Sequence, residues 1–370
     1  MTEPITLYGL PHSLYTGKVR SYFRKQGIDY REVAPTEGRF AEHVVPQIGR
    51  VIIPVIELDD GTIVQDTVDI IDHFEGAGVR WSAYPEGAAQ RAVAHLFELY
   101  SVAVLTRHAM HYRWSYLEKQ ENFLRDAFGL GGDPERTETT MRRMHSYLPM
   151  LGVTEETIPA IEESYLALLA NLERHFARFP YLLGNRPSIG DYSLLGPLFA
   201  HLGRDPVPLG IMQDRSPKTF RWVERMNAPD LDLVGYDHGN SDFLPDDEIP
   251  ATLLPLLDQM AAELLPGLTD GLSVLRDHVG KGHAIPGEPV TDKPHRRIIG
   301  QVETTFRGAS YVGGVQPYVF FLWQRLRDAS VGDANVLRLF EEHSLAPLLQ
   351  RDLPIRVERS RNIEIWGERN

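Results

Sequence analysis

No cysteine occurs among the 370 residues. That excludes disulfides, thiolate metal sites and any mechanism in which a protein thiol is the nucleophile. If sulfur chemistry takes place, the sulfur arrives with a ligand. Long apolar runs are missing too. No stretch reaches the roughly 20 residues of a membrane span, and the first residues lead through a polar turn into a strand without a leader pattern. A cytoplasmic protein without membrane partners is expected. Positive charge is scarce: 38 Lys and Arg face 51 Asp and Glu, a net charge of −13. That disfavours nucleic acid and anionic membranes as partners. An anionic small ligand would need a local positive site against this background. What is present is an ordinary globular composition, 42% hydrophobic and 24% charged, on a chain longer than one core usually holds.

Two stretches organise the N-terminal part. Ile5 to Arg20 (ITLYGLPHSLYTGKVR) reads as a strand over 5–10, a proline-containing loop and a helix over 14–26. Ser13 stands at the junction, beside unpaired backbone N–H groups and the positive end of a helix dipole. A further strand is expected over 29–34. Ile53 to Thr67 (IPVIELDDGTIVQDT) alternates apolar and polar residues through a hairpin over 54–66, with Asp60-Gly61 at its turn, and enters a helix over 67–76 at Asp66-Thr67. A parallel crossover followed by an antiparallel hairpin makes a mixed sheet. Two helix N-termini in one small α/β unit suit the two ends of one anionic ligand.

This order of strand, loop, Ser13, Lys18-Val19-Arg20, Ile53-Pro54-Val55 and Gln65-Asp66-Thr67 resembles the thioredoxin-like domain of cytosolic glutathione transferases of the serine-dependent theta and zeta types. The missing cysteine separates the chain from the cysteine-dependent omega type. The resemblance covers residues 1–78 and continues more weakly to about 230. It implies a thioredoxin-like glutathione-binding domain at 1–78 and an all-helical substrate domain at 88–239; residues 240–370 exceed the usual family length and are expected to form a mainly helical extension packed on the helical domain. It also implies a cytoplasmic homodimer, with glutathione as co-substrate and no metal. Pro54 takes the place of the family's cis-proline, which turns the backbone of Ile53 toward the cysteinyl part of glutathione. Asp66-Thr67 takes the place of the pair that holds its glutamyl end, and Arg50 is the nearest cation for its glycyl carboxylate. Ser13 would stabilise the thiolate; Tyr15 is a rival for that role and Thr16 a third choice. Each has a plain structural alternative: Ser13 and Asp66 as helix caps, Pro54 as the opening of an edge strand, Arg50 as a surface charge.

Gly76–Gly87 reads as a linker. After it, Ala88–Phe128 has helical periodicity for one long helix or two, Thr137–Tyr147 and Thr157–Phe179 for further helices, and 129–156 is long for a simple connection. Within Arg107–Trp114 (RHAMHYRW), His108, Tyr112 and Arg113 are candidates for a second-substrate pocket or for packing; the His108/His111 pair lacks a third metal ligand. Ser188-Ile189-Gly190-Asp191 is a capping box opening a helix, and Pro217–Pro229 resembles the closing helix of the family's second domain. Beyond 240, helices are expected over 251–279, with breaks or kinks at Pro255 and Pro266, over 317–327 and over 331–349, with a short strand at Ile363–Trp366; 280–314 is rich in glycine, proline and charge. The function implied is activation of glutathione for attack on an apolar electrophile. A non-catalytic ligand-binding protein and a glutathione-dependent peroxidase are the alternatives.

Overall fold

The computed structural model describes residues 4–36, 38–130, 132–236, 240–293 and 295–369. Part of the expected boundary at 239 falls outside this set. The chain opens with β1 (Ile5–Tyr8), α1 (Leu14–Gln26) and β2 (Tyr30–Val33), a parallel crossover. β3 (Val55–Glu57) and β4 (Ile63–Gln65) then add an antiparallel hairpin, giving a mixed sheet in the order β2-β1-β3-β4. α1 starts where the Ser13 hydroxyl oxygen accepts the Thr16 N–H at 3.3 Å. It ends at Gly27, whose φ of 69° fits a left-handed C-cap. α2 (Thr67–Ala77) starts at Asp66 and packs on α1. Leu7, Val19, Phe23, Ile56, Val68 and Ile71 fill the space between sheet and helices. The expected hairpin is present with shorter strands, because a five-residue connection, Leu58–Thr62, carries Asp60-Gly61.

The helical part begins with α3 (Ala88–Tyr100), a π turn (Ser101–Leu105) and α4 (Thr106–Trp114), which run on as one rod. α5 (Leu117–Phe128), α6 (Pro134–His145), α7 (Ile158–Phe176), α8 (Ile189–Ala200), α9 (Pro206–Arg215) and α10 (Pro217–Asn227) follow. α8 is the central post, nearly all buried, packed on α1 and α3. Its capping box forms as the sequence predicts: Ser188 and Asp191 satisfy each other's backbone N–H groups. The Asp191 carboxylate also accepts from Leu182 N–H and Trp222 Nε1–H; burial nonetheless pushes its pKa up to about 6. Charged side chains tie the sheet unit to the helices. Lys18 reaches Glu98 at 2.6 Å with both groups buried, and Lys25 and Ser21 donate to carbonyls at the end of α10.

The C-terminal segment departs from expectation in three places. α11 (Leu254–Gly280) continues across Pro266 without a break. Pro255 sits in the first turn, where no N–H is needed, and the apolar face of Leu257, Met260, Leu264, Leu268, Leu272 and Leu275 outweighs the bond lost at Pro266. The segment rich in glycine, proline and charge, to which the sequence assigns no element, holds a hairpin, β5 (Gly300–Phe306) and β6 (Ala309–Val315), turned at Arg307 (φ 48°) and Gly308 (φ 87°). After α12 (Pro317–Ser330), the helix expected over 331–349 is split into α13 (Ala334–Glu342) and a turn at Pro347–Gln350; Ser344, with φ 59°, interrupts it. β7 (Val357–Ser360) and β8 (Ile363–Trp366) close the chain. α11 packs on α7 and β5, and α12 lies along α3. The β7–β8 turn, Arg361-Asn362, reaches the free edge of β4, where the Asn362 amide accepts from Gln65 N–H at 2.8 Å and donates to Ile63 O at 3.4 Å. Among the described residues no helix is long and apolar enough to cross a membrane.

Candidate active site

The sheet register brings three segments to one end. Tyr8 pairs with Val55 and Val55 with Gln65, so the loop after β1, the residues before β3 and the start of α2 lie side by side. The loop after β1 is tightly held. Gly9 has no room for a side chain, since a Cβ there would lie 2.2 Å from Thr16 Cγ2. Arg20 donates to Leu10 O at 3.1 Å and Arg113 to His12 O at 3.1 Å. Ser13 therefore sits on a fixed loop at the N-terminus of α1. Its oxygen accepts the Thr16 N–H, and its own O–H has no acceptor among the described residues. His12 is buried against Phe128. Burial, and then the charges of Arg113, Arg204 and Arg20, pull its pKa down to about 3, so the ring is neutral at pH 7.

The Ile53–Pro54 bond is cis, as the sequence resemblance implies, and neither backbone polar group of Ile53 has a hydrogen-bond partner among the described residues. Asp66 has φ 92°, a conformation that costs of order 1–3 kcal/mol for a residue other than glycine. Two bonds hold it there: its Oδ1 accepts from Val68 N–H at 2.9 Å and from the Tyr318 hydroxyl at 2.7 Å. Thr67, the first residue of α2, is buried, and its hydroxyl has no partner among the described residues. Tyr15 lies in the same region, near Thr106, Arg297 and Asp66. Burial raises its pKa; the Arg297 charge works against that.

Arg50 is placed differently from what the sequence suggests. It is buried, donates to Glu364 at 3.1 Å, to Gln65 Oε1 at 2.8 Å and to Asn362 O at 3.2 Å. A carboxylate of β8 thus stands where a ligand carboxylate was expected. Arg359 joins the group through Asp69, Glu364 and Gln65 O. Burial works to raise the Glu364 pKa, but the two guanidinium groups win and lower it. These contributions from Tyr318, Arg359, Asn362 and Glu364 are invisible locally in the sequence, because their partners lie some 250 to 314 positions away.

Beside Tyr15, Thr106 belongs to the wall of a cavity of about 100 Å³ between the π turn, α11, the β5–β6 hairpin and α12. None of His108, Tyr112 and Arg113 lines it. His108 is buried 2.8 Å from Ser164 Oγ, Tyr112 packs on Tyr116 and Tyr165, and Arg113 forms a bidentate pair with Asp205 at 2.7 and 2.8 Å. Successive helical residues point about 100° apart, and the adjoining residues Thr106 and Arg107 take the cavity side instead.

A family model described as glutathione S-transferase, N-terminal domain, matches residues 7–78, and one described as glutathione S-transferase, C-terminal domain, matches residues 155–225. In these two segments the chain is similar to the glutathione S-transferase superfamily. Its mixed sheet is the thioredoxin-like half of that fold and its helices the second half, with extra elements after residue 240. No curated protein matches it. Among solved structures it is similar to the glutathione transferase GSTFuA3 from Phanerochaete chrysosporium, with 20% identity over 62% of this chain and 98% of that one and a TM-score of 0.45. It is also similar to the beta-etherase LigF from Sphingobium sp. strain SYK-6, with 16% identity, 62% and 96% covered and a TM-score of 0.41. A glutathione S-transferase from Methylobacterium radiotolerans, solved with glutathione sulfonate, shares 18% identity over 65% and 100%, with a TM-score of 0.38. The two family models fall on the strand-and-loop unit around Ser13 and on α7 to α10.

Proposed function

We propose that the protein is a glutathione-dependent transferase that activates the glutathione thiol for attack on an apolar electrophile. One observation carries this reading: Ser13 keeps its O–H undirected at the N-terminus of α1, at the same sheet end as the unpaired backbone of Ile53 and the unpaired hydroxyl of Thr67. Ile53 would pair with the cysteinyl backbone and Thr67 with the glutamyl carboxylate, while Asp66 would meet the ammonium. The Ser13 hydroxyl would then donate to the sulfur. A free thiol near pKa 8.5 is mostly protonated at pH 7. Donation from Ser13, with the helix N-terminus, lowers that by about one to two units and raises the thiolate fraction about tenfold or more.

Arg50 is engaged by Glu364, so the glycyl carboxylate needs another cation, and Arg297, half-buried near Tyr15 and without an ion pair among the described residues, is in the right neighbourhood. A cytoplasmic homodimer fits the superfamily, but it would have to avoid the faces of α3 and β4 that α12 and β7–β8 cover in the same chain. The test is a titration of bound glutathione by thiolate absorbance in the wild type, in Ser13→Ala and in Tyr15→Phe. The expected result is a depressed pKa that Ser13→Ala restores toward 8.5 and Tyr15→Phe leaves in place. An unshifted pKa in the wild type, or an equal shift in Ser13→Ala, refutes the role of Ser13.

A further inference from the structure

The cavity between the π turn and the C-terminal segment has an apolar wall and one charged corner. Val102, Leu264, Leu268, Val315 and Phe320 line the wall. Arg107 forms the corner and is only 6% exposed. Its Nε donates to Leu151 O at 2.7 Å and its Nη2 to the Tyr311 hydroxyl, and its face lies over the rings of Phe306 and Tyr311. Its Nη1 has no hydrogen-bond partner among the described residues, and no Asp or Glu oxygen among them lies within 4.0 Å. Buried guanidinium groups are ordinarily paired, since an unpaired buried charge is costly.

Glu263 is the acid on the same cavity wall, and it is committed elsewhere. Ser164 at 2.7 Å, Gln259 at 3.1 Å, Arg307 at 3.0 Å and Tyr100 at 2.6 Å hold its two oxygens. Its direct ion pair is with Arg307; from beyond 4.0 Å its charge also favours the charged form of Arg107, but neither of its oxygens accepts from that guanidinium. Thr304, on β5 opposite Tyr311, supplies a second signal: it is 5% exposed, lines the cavity, and its hydroxyl oxygen is buried without a partner among the described residues.

We propose that this cavity binds a compact apolar molecule carrying a carboxylate, the carboxylate held by Arg107 and Thr304 and the carbon skeleton by the apolar wall. The volume of about 100 Å³ suits a short chain rather than a ring, since the cavity that holds benzene is larger, at about 150 Å³. This deepens the transferase reading, because Thr106 joins the cavity to Tyr15 and so makes it the pocket for the electrophile. The extension then does more than pack: β5 and β6 supply the residues that select the substrate's charge.

The test is calorimetric titration of the full-length protein, without glutathione, with propanoate and butanoate against propanamide and butanamide. Each acid is expected to bind at least about tenfold more tightly than its amide, from the worth of a hydrogen bond to a charged group. Arg107→Gln should erase that preference while leaving amide binding in place. Thr304→Val, which keeps the size and the strand, should weaken acid binding by about fivefold or more and carries the test if Arg107→Gln fails to fold. Equal binding of acid and amide, no heat from either acid at millimolar concentration, or a preference that survives in the folded variants overturns the proposal. Because glutathione is left out, such a result leaves the Ser13 titration untouched, and failure of that titration leaves the acid preference standing.

Discussion

Replacing Arg113 by methionine should cost far more than a helix-surface substitution. The side chain is 2% exposed and its partner Asp205 is fully buried; the two guanidinium bonds to that carboxylate are 2.7 and 2.8 Å long. Two further bonds run to Ala200 O at 2.8 Å and His12 O at 3.1 Å. Burial already pushes the Asp205 pKa up, and the Arg113 bonds and charge work against it. Without them a carboxylate is stranded in the core. Breaking a buried pair from one side costs about 3–5 kcal/mol, whereas replacing both partners with apolar residues is often close to neutral. Urea unfolding of Arg113→Met should therefore show a loss of about 3–5 kcal/mol, and Arg113→Met/Asp205→Leu should recover most of it. The His12 bond adds a functional readout. His12 precedes Ser13, so the variant should also lose part of the glutathione thiol shift under conditions where it remains folded. A stability loss under about 1 kcal/mol, or a double variant no better than the single one, would refute the reasoning.

Two further predictions concern other parts of the fold. His175 is fully buried, donating from Nε2 to Tyr181 O at 3.1 Å and accepting from Thr252; burial, only partly offset by the carbonyl, lowers its pKa to about 4. The folded protein binds fewer protons at this site than the unfolded chain between about pH 4 and 6.5, so its contribution to stability is lost as pH falls through that window. The stability gap between wild type and His175→Asn should narrow by about 1.4 kcal/mol per pH unit there, and a gap independent of pH in urea titrations would contradict it. Asn362 caps the β4 edge through its side-chain amide. Asn362→Ala should release the Gln65 amide, raising its hydrogen exchange about tenfold or more, as the loss of one buried bond worth about 1–3 kcal/mol requires. Unchanged protection would show that the edge is held by something else.

Much of the N-terminal architecture can be read from local chemistry. Ser13 and Asp66 are short polar side chains between a strand and an apolar helical run, and a cap in such a place is dictated within four residues. The Ser188–Asp191 box is equally local. The candidate pocket is not, for two reasons. The π turn at Ser101–Leu105 inserts extra backbone into the helix, so the face of Arg107 cannot be extrapolated from Ala88 at 3.6 residues per turn. The β5–β6 hairpin was hidden because Thr304 and Gly313 interrupt an inward face otherwise made of Val302, Phe306, Tyr311 and Val315, while Val312 stands exposed on the outward face and blurs the alternation. Arg50 shows a third limit, since nothing near it in sequence announces Glu364.

The bonds from Arg50 to Glu364 and from Arg359 to Gln65 span 314 and 294 positions. On a ribosome adding about 5–20 residues per second, the first seventy residues wait ~15–60 s for those partners to emerge. During that interval β4 has a bare edge and Arg50 has no carboxylate from β8. The nascent unit thus cannot reach its finished form, and the binding end matures only once synthesis has passed residue 364.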